Sequence, residues 1–366
     1  MKNIRSSFLL ILQTLFLIST EVKAQPEKAE AGIQSIMQEI PVMGLSVAVV
    51  KDNKIIYAQS FGTKSRENNT PLTNDCIFRI ASISKSFSAT SIMQLAERKK
   101  LSIDQDVSEL IGFKVRNPKF PETVITLRLM MSHLSSINDS QGYFSLDAIN
   151  PEKNPNWAKS YSHYEPGKGY AYCNLNFNMI GAIIEKISGE RFDQYVIKHV
   201  LDPLGLYGGY DVDGLDKSRF ASIYEYRADS SKFILSESAY ASRAKDISNY
   251  AMGYTTPAFS PTGGMKISAT DLAQYMLMHN NLGKYKGKRI ISKKSAQQMQ
   301  TALSEEEGYG FAIETTSKMI PGKTMKGHTG VAYGLFSAMF FHPEEKFGIV
   351  VISNGCAPGY SEDTIL

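Results

Sequence analysis

Ser82 and Lys85, in the stretch Ser82-Ile83-Ser84-Lys85, have the residue types and spacing of an activated serine nucleophile. Three residues apart on a helix, two side chains share a face, so the amine can reach the hydroxyl and accept its proton. An ordinary lysine, with a pKa near 10.4, is neutral in only about one molecule in 2,500 at pH 7. A useful base therefore needs its ammonium destabilised by about 3 units, or roughly 4 kcal/mol, which burial supplies and an exposed helix does not. Residues 82–98 carry Ile83, Phe87, Ile92, Leu95 and Ala96 at mostly helical spacing and lack Gly and Pro. That pattern predicts a buried helix with Ser82 near its N-terminus. The same tetrad occurs again at Ser242-Arg243-Ala244-Lys245, within the polar stretch 238–249. A chain of this size holds about one or two such matches by chance, and this one is expected to be solvated and inert.

Tyr172-Cys173-Asn174 and His328-Thr329-Gly330 supply residues that can complete a site around Ser82. The first directly precedes an apolar helical repeat, Leu175, Met179, Ile180, Ile183, Ile184 and Ile187, ended by Gly189. At such a loop-to-helix entry Tyr172 can shuttle a proton and Asn174 can hold a substrate amide. The tripeptide also reads as a packed tyrosine beside a capping asparagine. Ser136-Ile137-Asn138 competes for the same place. His328 precedes an apolar strand, where small neighbours let a substrate backbone approach closely; a lone histidine there also reads as a structural hydrogen bond. G-x-S-x-G, H-E-x-x-H, P-loop and G-x-G-x-x-G patterns are missing, which removes the main rival chemistries.

The elements that must position these residues follow from pattern. Residues 27–39 read as a helix; 44–50 and 55–61 read as strands joined by the turn residues Lys51-Asp52-Asn53-Lys54. Ser268-Ala269-Thr270-Asp271 resembles a capping box and starts a helix to about 279. Residues 309–314, 335–341 and 347–353 read as strands. Strands at both ends and a helix-rich middle predict one sheet assembled from the two ends, with an inserted helical region at 101–264.

The chain of 366 residues has room for a large core, and its 43% apolar and 21% charged content exclude general disorder. Lys2 and Arg5, the apolar run 8–18 and Val22-Lys23-Ala24 form the three parts of a secretory signal peptide, 1–24. Removing it lowers the net charge from +4 to +2, too small for nucleic acid or an anionic membrane as partner. The apolar run is shorter than the ~20 residues a bilayer span needs, so export with cleavage is the expectation, to the periplasm or beyond. Cys76, Cys173 and Cys356 are too few and too scattered for a disulfide framework or a zinc site, and one disulfide is left open. No metal or organic cofactor is expected.

In order, Ser-x-x-Lys, Tyr-x-Asn and His-Thr-Gly resemble the serine β-lactamase and penicillin-binding-protein superfamily. The closest branch is that of class C β-lactamases, D-Ala-D-Ala carboxypeptidases and related esterases. Phe78 to Phe87, Ile125 to Ser136, Glu165 to Asn174, Leu201 to Leu206 and Pro261 to Met265 carry the likeness. It implies an α/β (α+β) fold with an antiparallel sheet flanked by helices. It also implies a single catalytic domain over 25–366, with an α/β part at 25–100 plus 265–366 and a helical part at 101–264. Carried over, Ser82 is the acylated nucleophile, Lys85 its base partner and Tyr172 the proton relay. Asn174, His328, Thr329 and Gly330 bind substrate, and the backbone N–H groups of Ser82 and Val331 form the oxyanion hole. Two departures stand out. His328 replaces the usual lysine, and a mostly neutral imidazole attracts a β-lactam carboxylate poorly. Only 361–366 remains for the helix that usually ends the fold. The resemblance thus implies a serine hydrolase on ester, D-amino-acid amide or peptidoglycan-type substrates. An acyltransferase acting on a small hydroxylated metabolite, a β-lactamase and a non-catalytic peptidoglycan-binding or sensor module stand as alternatives.

Overall fold

Asp52 and Asn53 both adopt left-handed backbone angles (φ 48° and 67°), as a two-residue hairpin turn requires. They join β1 (Gly44–Lys51) to β2 (Lys54–Ser65), whose register begins at Lys51↔Lys54. The computed structural model of the protein describes residues 26–304 and 307–357. The expected signal peptide 1–24 and the residues 361–366 lie outside them. The chain divides after Val42; in the first unit, residues 26–39 form a helix. No helix among the described residues is long and apolar enough to cross a membrane.

In the second unit, β3 (Thr70–Pro71), β4 (Glu314–Ile320), β5 (Lys323–Ala332), β6 (Leu335–His342) and β7 (Phe347–Ser353) complete a seven-stranded sheet. Its order is β4-β5-β6-β7-β1-β2-β3, and every pairing is antiparallel. β7 lies beside β1 in the register Val47↔Val351, so the sheet is built from both ends of the sequence.

The expected strand at 309–314 is displaced. Residues 307–313 are turns and bridges, and the strand itself is Glu314–Ile320. Apolar residues at 309–313 are buried for another reason: Phe311, Ala312 and Ile313 join the main core rather than a ladder. His328, expected before a strand, sits inside β5 instead.

Two helices carry site residues, and a third backs the sheet. α1 (Ser84–Glu97) is buried on nearly every face from Ser84 to Leu95, as a central helix must be. α2 (Asn174–Ser188) ends at Gly189, whose φ of 74° supplies the left-handed cap. α3 (Ala269–Asn280) packs on β1, β6 and β7, and its Ser268 side chain caps the Asp271 amide. Residues 101–264 hold several helices, mostly short, and also a hairpin, Tyr224–Arg227 with Lys232–Leu235.

Candidate active site

Ser82 lies in a single 3-10 turn (Ala81–Ile83) that leads directly into α1. Ala81, just before it, has φ 44°, a conformation costing a non-glycine residue on the order of 1 kcal/mol. The neighbourhood holds that bend in place. Phe78–Arg79 pairs with Lys266–Ile267, the Ser337 hydroxyl donates to the Ile80 carbonyl at 2.9 Å, and the Met265 amide donates to Ser84 Oγ at 3.0 Å. Gly330 on β5 passes so close that a Cβ there would lie 2.3 Å from the Ile80 carbonyl and 3.0 Å from the Ser82 amide. Only glycine lets β5 come this close to the Ser82 turn. The Ser82 and Val331 amides, expected as an oxyanion pair, therefore belong to segments in direct contact.

Lys85 is fully buried, and its Nζ lies 3.0 Å from Ser82 Oγ, 2.9 Å from Asn174 Oδ1 and 3.0 Å from the Thr262 carbonyl. Burial pulls its pKa down to about 7, against the opposing pull of Asp139 and Cys173. About half the amines are then neutral at pH 7, roughly a thousand times the ordinary fraction. The partners decide where the lone pair goes. Asn174 Oδ1 and the Thr262 carbonyl can only accept, so they take the two N–H bonds of a neutral amine. Its lone pair is left for the Ser82 hydroxyl.

Asn174 is held in the orientation this needs. Its Nδ2 donates to Asp139 Oδ2 at 2.9 Å, which fixes Oδ1 toward Lys85, and the Thr262 hydroxyl donates to that same Oδ1 at 2.9 Å. Asp139 also accepts from the Asn174 and Leu175 amides and from the Cys173 thiol, capping α2. Burial, then Asp139, holds Cys173 far above the usual thiol range, so it stays a protonated donor. Most of the polar capacity of Asn174 is thus spent on positioning Lys85, which sequence reasoning had assigned to a substrate amide.

Tyr172 stands across from Lys85, whose Nζ lies 4.7 Å from its ring centroid. Part of its ring is exposed to the cavity, while its hydroxyl end bonds to the Ser82 side chain. Desolvation of that end outweighs the bond and pushes the phenol well above its ordinary value, so Tyr172 keeps its proton. Behind it His133 is buried, its ring 4.3 Å from that of Tyr172. The Cys173 amide donates to His133 Nδ1, and burial holds this imidazole neutral.

His328 is buried too. Its Nδ1 lies 2.5 Å from the Thr329 carbonyl and so carries the proton, leaving Nε2 to accept from the Tyr309 hydroxyl at 2.7 Å. Burial, reinforced by Lys85, pulls its pKa to about 3, so no cation stands at this position near neutral pH.

Ser82, Tyr172, Asn174, His328, Thr329, Gly330 and Val331 line one cavity of about 660 Å³, with Lys85 beneath its floor. Residues as far apart in sequence as Ser82 and Val331 thus meet at one place. The competing Ser136-Ile137-Asn138 does not line it: Ser136 is buried against Asn117, and Asn138 caps the Ser140 amide. The second tetrad is inert in geometry, since exposed Ser242 bonds Asp213 and not Lys245. The three cysteines are free and buried.

The chain matches the beta-lactamase family over residues 30–364. It belongs to that family. Members of the family are serine hydrolases, and the class C-like branch fits this chain. "Protein flp" of Staphylococcus aureus (strain N315) is 21% identical over 333 residues, 88% of this chain and 61% of the relative. This chain therefore spans about three fifths of the relative's length. Among solved structures, the octameric penicillin-binding protein homologue of Pyrococcus abyssi superposes with a TM-score of 0.74 at 26% identity, covering 93% of this chain and 75% of that one. EstCE1, a hydrolase with promiscuous acyltransferase activity, superposes at 0.71 with 22% identity, covering 90% and 94%. These likenesses are of fold.

Asp139, Thr262, His133 and Tyr309 were not singled out by sequence reasoning. Asp139 directly follows the competing Ser-x-Asn tripeptide, and Thr262 sits inside the family-like segment at 261–265. Each was within reach of the motifs, but only the fold shows which atom faces which.

Proposed function

We propose that this protein is an exported serine hydrolase that works through a Ser82 acyl-enzyme on ester or D-amino-acid amide substrates. The observation that carries the reading is the neutral-amine geometry at Lys85, whose one unspent lone pair faces Ser82 Oγ. In the first half-reaction Lys85 takes the hydroxyl proton as Ser82 Oγ bonds to the substrate carbonyl carbon. The Ser82 and Val331 amides stabilise the resulting oxyanion; removal of one such donor typically costs about 3 kcal/mol. Collapse breaks the bond to the leaving oxygen or nitrogen. Tyr172 gives that atom a proton and recovers one from the Lys85 ammonium. Water then repeats the sequence in reverse and releases the acid, with Asn174 holding Lys85 and His328, Thr329 and Gly330 flanking the substrate.

The neutral state of His328 supports esters and amides over β-lactams, because no cation stands there to draw a β-lactam carboxylate. The fold likeness to EstCE1 supports the same direction. Turnover of 4-nitrophenyl acetate and butyrate, a D-alanyl amide and a cephalosporin tests it. Ester turnover above the cephalosporin rate, lost in Ser82→Ala, is expected. Turnover that survives Ser82→Ala overturns the mechanism. Adding an alcohol to the same assay separates transfer from hydrolysis. Export rests on 1–24 alone; a secreted product beginning near Gln25 is expected, and an uncleaved N-terminus contradicts it.

A further inference from the structure

Arg79 is 7% exposed and lines the Ser82 cavity, yet the mechanism gives it nothing to do. Its Nε donates to the Gly263 carbonyl at 2.8 Å, and its Cζ lies 4.9 Å from the Tyr333 ring centroid, with a side-chain bond to that phenol. Neither partner is a carboxylate. Among the described residues no carboxylate pairs with it, although a buried guanidinium carries five donors and a desolvation cost that a carboxylate would offset. Its neighbour across the small sheet, Lys266, is a second buried basic side chain, bonded to the Tyr210 carbonyl. Arg243 nearby has an acidic partner, Asp246 at 3.5 Å.

Two further observations point to a ligand. Arg79, Phe144, Ser260 and Tyr333 line both the Ser82 cavity and an adjoining cavity of about 600 Å³, so Arg79 stands where the two join. Phe144 is 64% exposed there and offers an apolar flank. Moreover, adjacent carbonyls anchor the two buried basic side chains of the cleft: Thr262 accepts from Lys85 and Gly263 from Arg79. One residue step is about 3.8 Å, so the guanidinium is held close to the reacting centre.

The cavity is also polarised. Glu314, the one acidic residue among the described lining residues, is bridged to Tyr309, whose ring lies 6.0 Å from that of Tyr170 and 6.4 Å from that of Tyr172, whereas Arg79 lies against Tyr333. If Tyr172 protonates the leaving group, that group lies at the Glu314 end. The acyl group then extends the other way, toward Arg79.

We propose that the cleft is built for an acyl group bearing a carboxylate on a short arm, bound by Arg79 at the junction of the two cavities. This rests on the acyl-enzyme reading, and specifically on the role of Tyr172. A guanidinium takes a carboxylate through two parallel hydrogen bonds, so the site selects a dicarboxylic half-ester or half-amide over its uncharged counterpart.

The test compares 4-nitrophenyl hydrogen glutarate with 4-nitrophenyl 4-carbamoylbutyrate, which differ only in the charge of the acyl terminus. The wild type is expected to favour the anion in kcat/KM by at least about 10-fold, mainly through KM, and less so in high salt. Arg79→Gln is expected to bring the ratio near one, and Arg79→Lys to keep it above one. A wild-type ratio near one overturns the proposal, and so does a ratio unchanged in Arg79→Gln, which marks Arg79 as structural. Moving the carboxylate to the leaving group, in 3-carboxyphenyl acetate, is expected to give no Arg79-dependent gain; a gain there overturns the acyl-side placement. Binding to Ser82→Ala separates this failure from failure of the acyl-enzyme itself. Glutaric acid monoanilide is expected to bind that variant about 10-fold tighter than the matching diamide, through Arg79, whatever the fate of turnover. Equal affinity, or no binding of either, overturns the subsite.

Discussion

The surroundings of Lys85 favour its neutral amine, as the proposed base requires. Lys85 is buried on α1, and two groups that can only accept hydrogen bonds take its two N–H bonds. Asp139 acts one step back, fixing the Asn174 amide while its charge favours the ammonium. Replacing Asp139 with Asn removes that charge and unsettles the amide. Ester kcat/KM is expected to fall about 10- to 100-fold, as for other supports of a reacting group. The sign of the pH effect is separate. Without the carboxylate the ammonium is less favoured, so the acid limb of the pH–rate profile moves below its wild-type position near 7. A profile displaced upward contradicts the assignment. A purely structural defect lowers the rate without moving that limb.

At the scale of elements, two contacts hold the site together. β5 reaches the Ser82 turn only because residue 330 has no side chain, since the atoms a Cβ would meet include two backbone groups. Gly330→Ala is expected to lower kcat/KM by about 100-fold or more, by parting the two oxyanion amides, with a smaller loss of stability. Unchanged kinetics refute that contact. α2 carries the other tie. Its buried Glu185 accepts from the Phe192 and Gly253 amides and from the Tyr250 and Thr256 hydroxyls, pinning 250–256, the segment that leads to Thr262. Glu185→Ala strands those donors and is expected to cost about 3 to 5 kcal/mol in urea unfolding. A loss below about 1 kcal/mol would show that the segment is held otherwise.

Over the whole molecule, the helix, strand and turn patterns made much of the fold legible. The hairpin turn at Asp52-Asn53, the buried α1 and the glycine ending α2 all follow from local rules. The strand expected at 309–314 failed because burial there comes from packing at 309–313, and periodicity does not separate the two. The residues that line the cavity beside Ser82 were legible where a motif named them. Asp139 and Thr262 were not, because their importance lies in which lone pair they occupy, and Arg79 stood inside a quoted segment without a stated role. Burial also has a global consequence. His279 and His328 are held neutral by desolvation, with pKa values near 3 against about 6.5 unfolded. Their folded values are depressed, so the stability they lend is complete above pH 6.5 and is lost as pH falls toward 3. Each contributes on the order of 4 kcal/mol across that window. His279→Leu, which removes a ring without hydrogen-bond partners among the described residues, is expected to flatten the fall in stability between pH 6 and 4; an unchanged slope contradicts it.

The central claim is that Ser82 is the nucleophile and that neutral Lys85 drives it. The most direct test is the rate of Ser82 acylation by an activated ester across pH 5 to 9, with the modified residue located by peptide mass spectrometry. One adduct at Ser82 is expected, with a rate that rises through a single ionisation near pH 7 and collapses in Lys85→Arg, which has no proton to give up at these pH values. Acylation elsewhere in the chain, or at Ser82 with no such ionisation, contradicts the account.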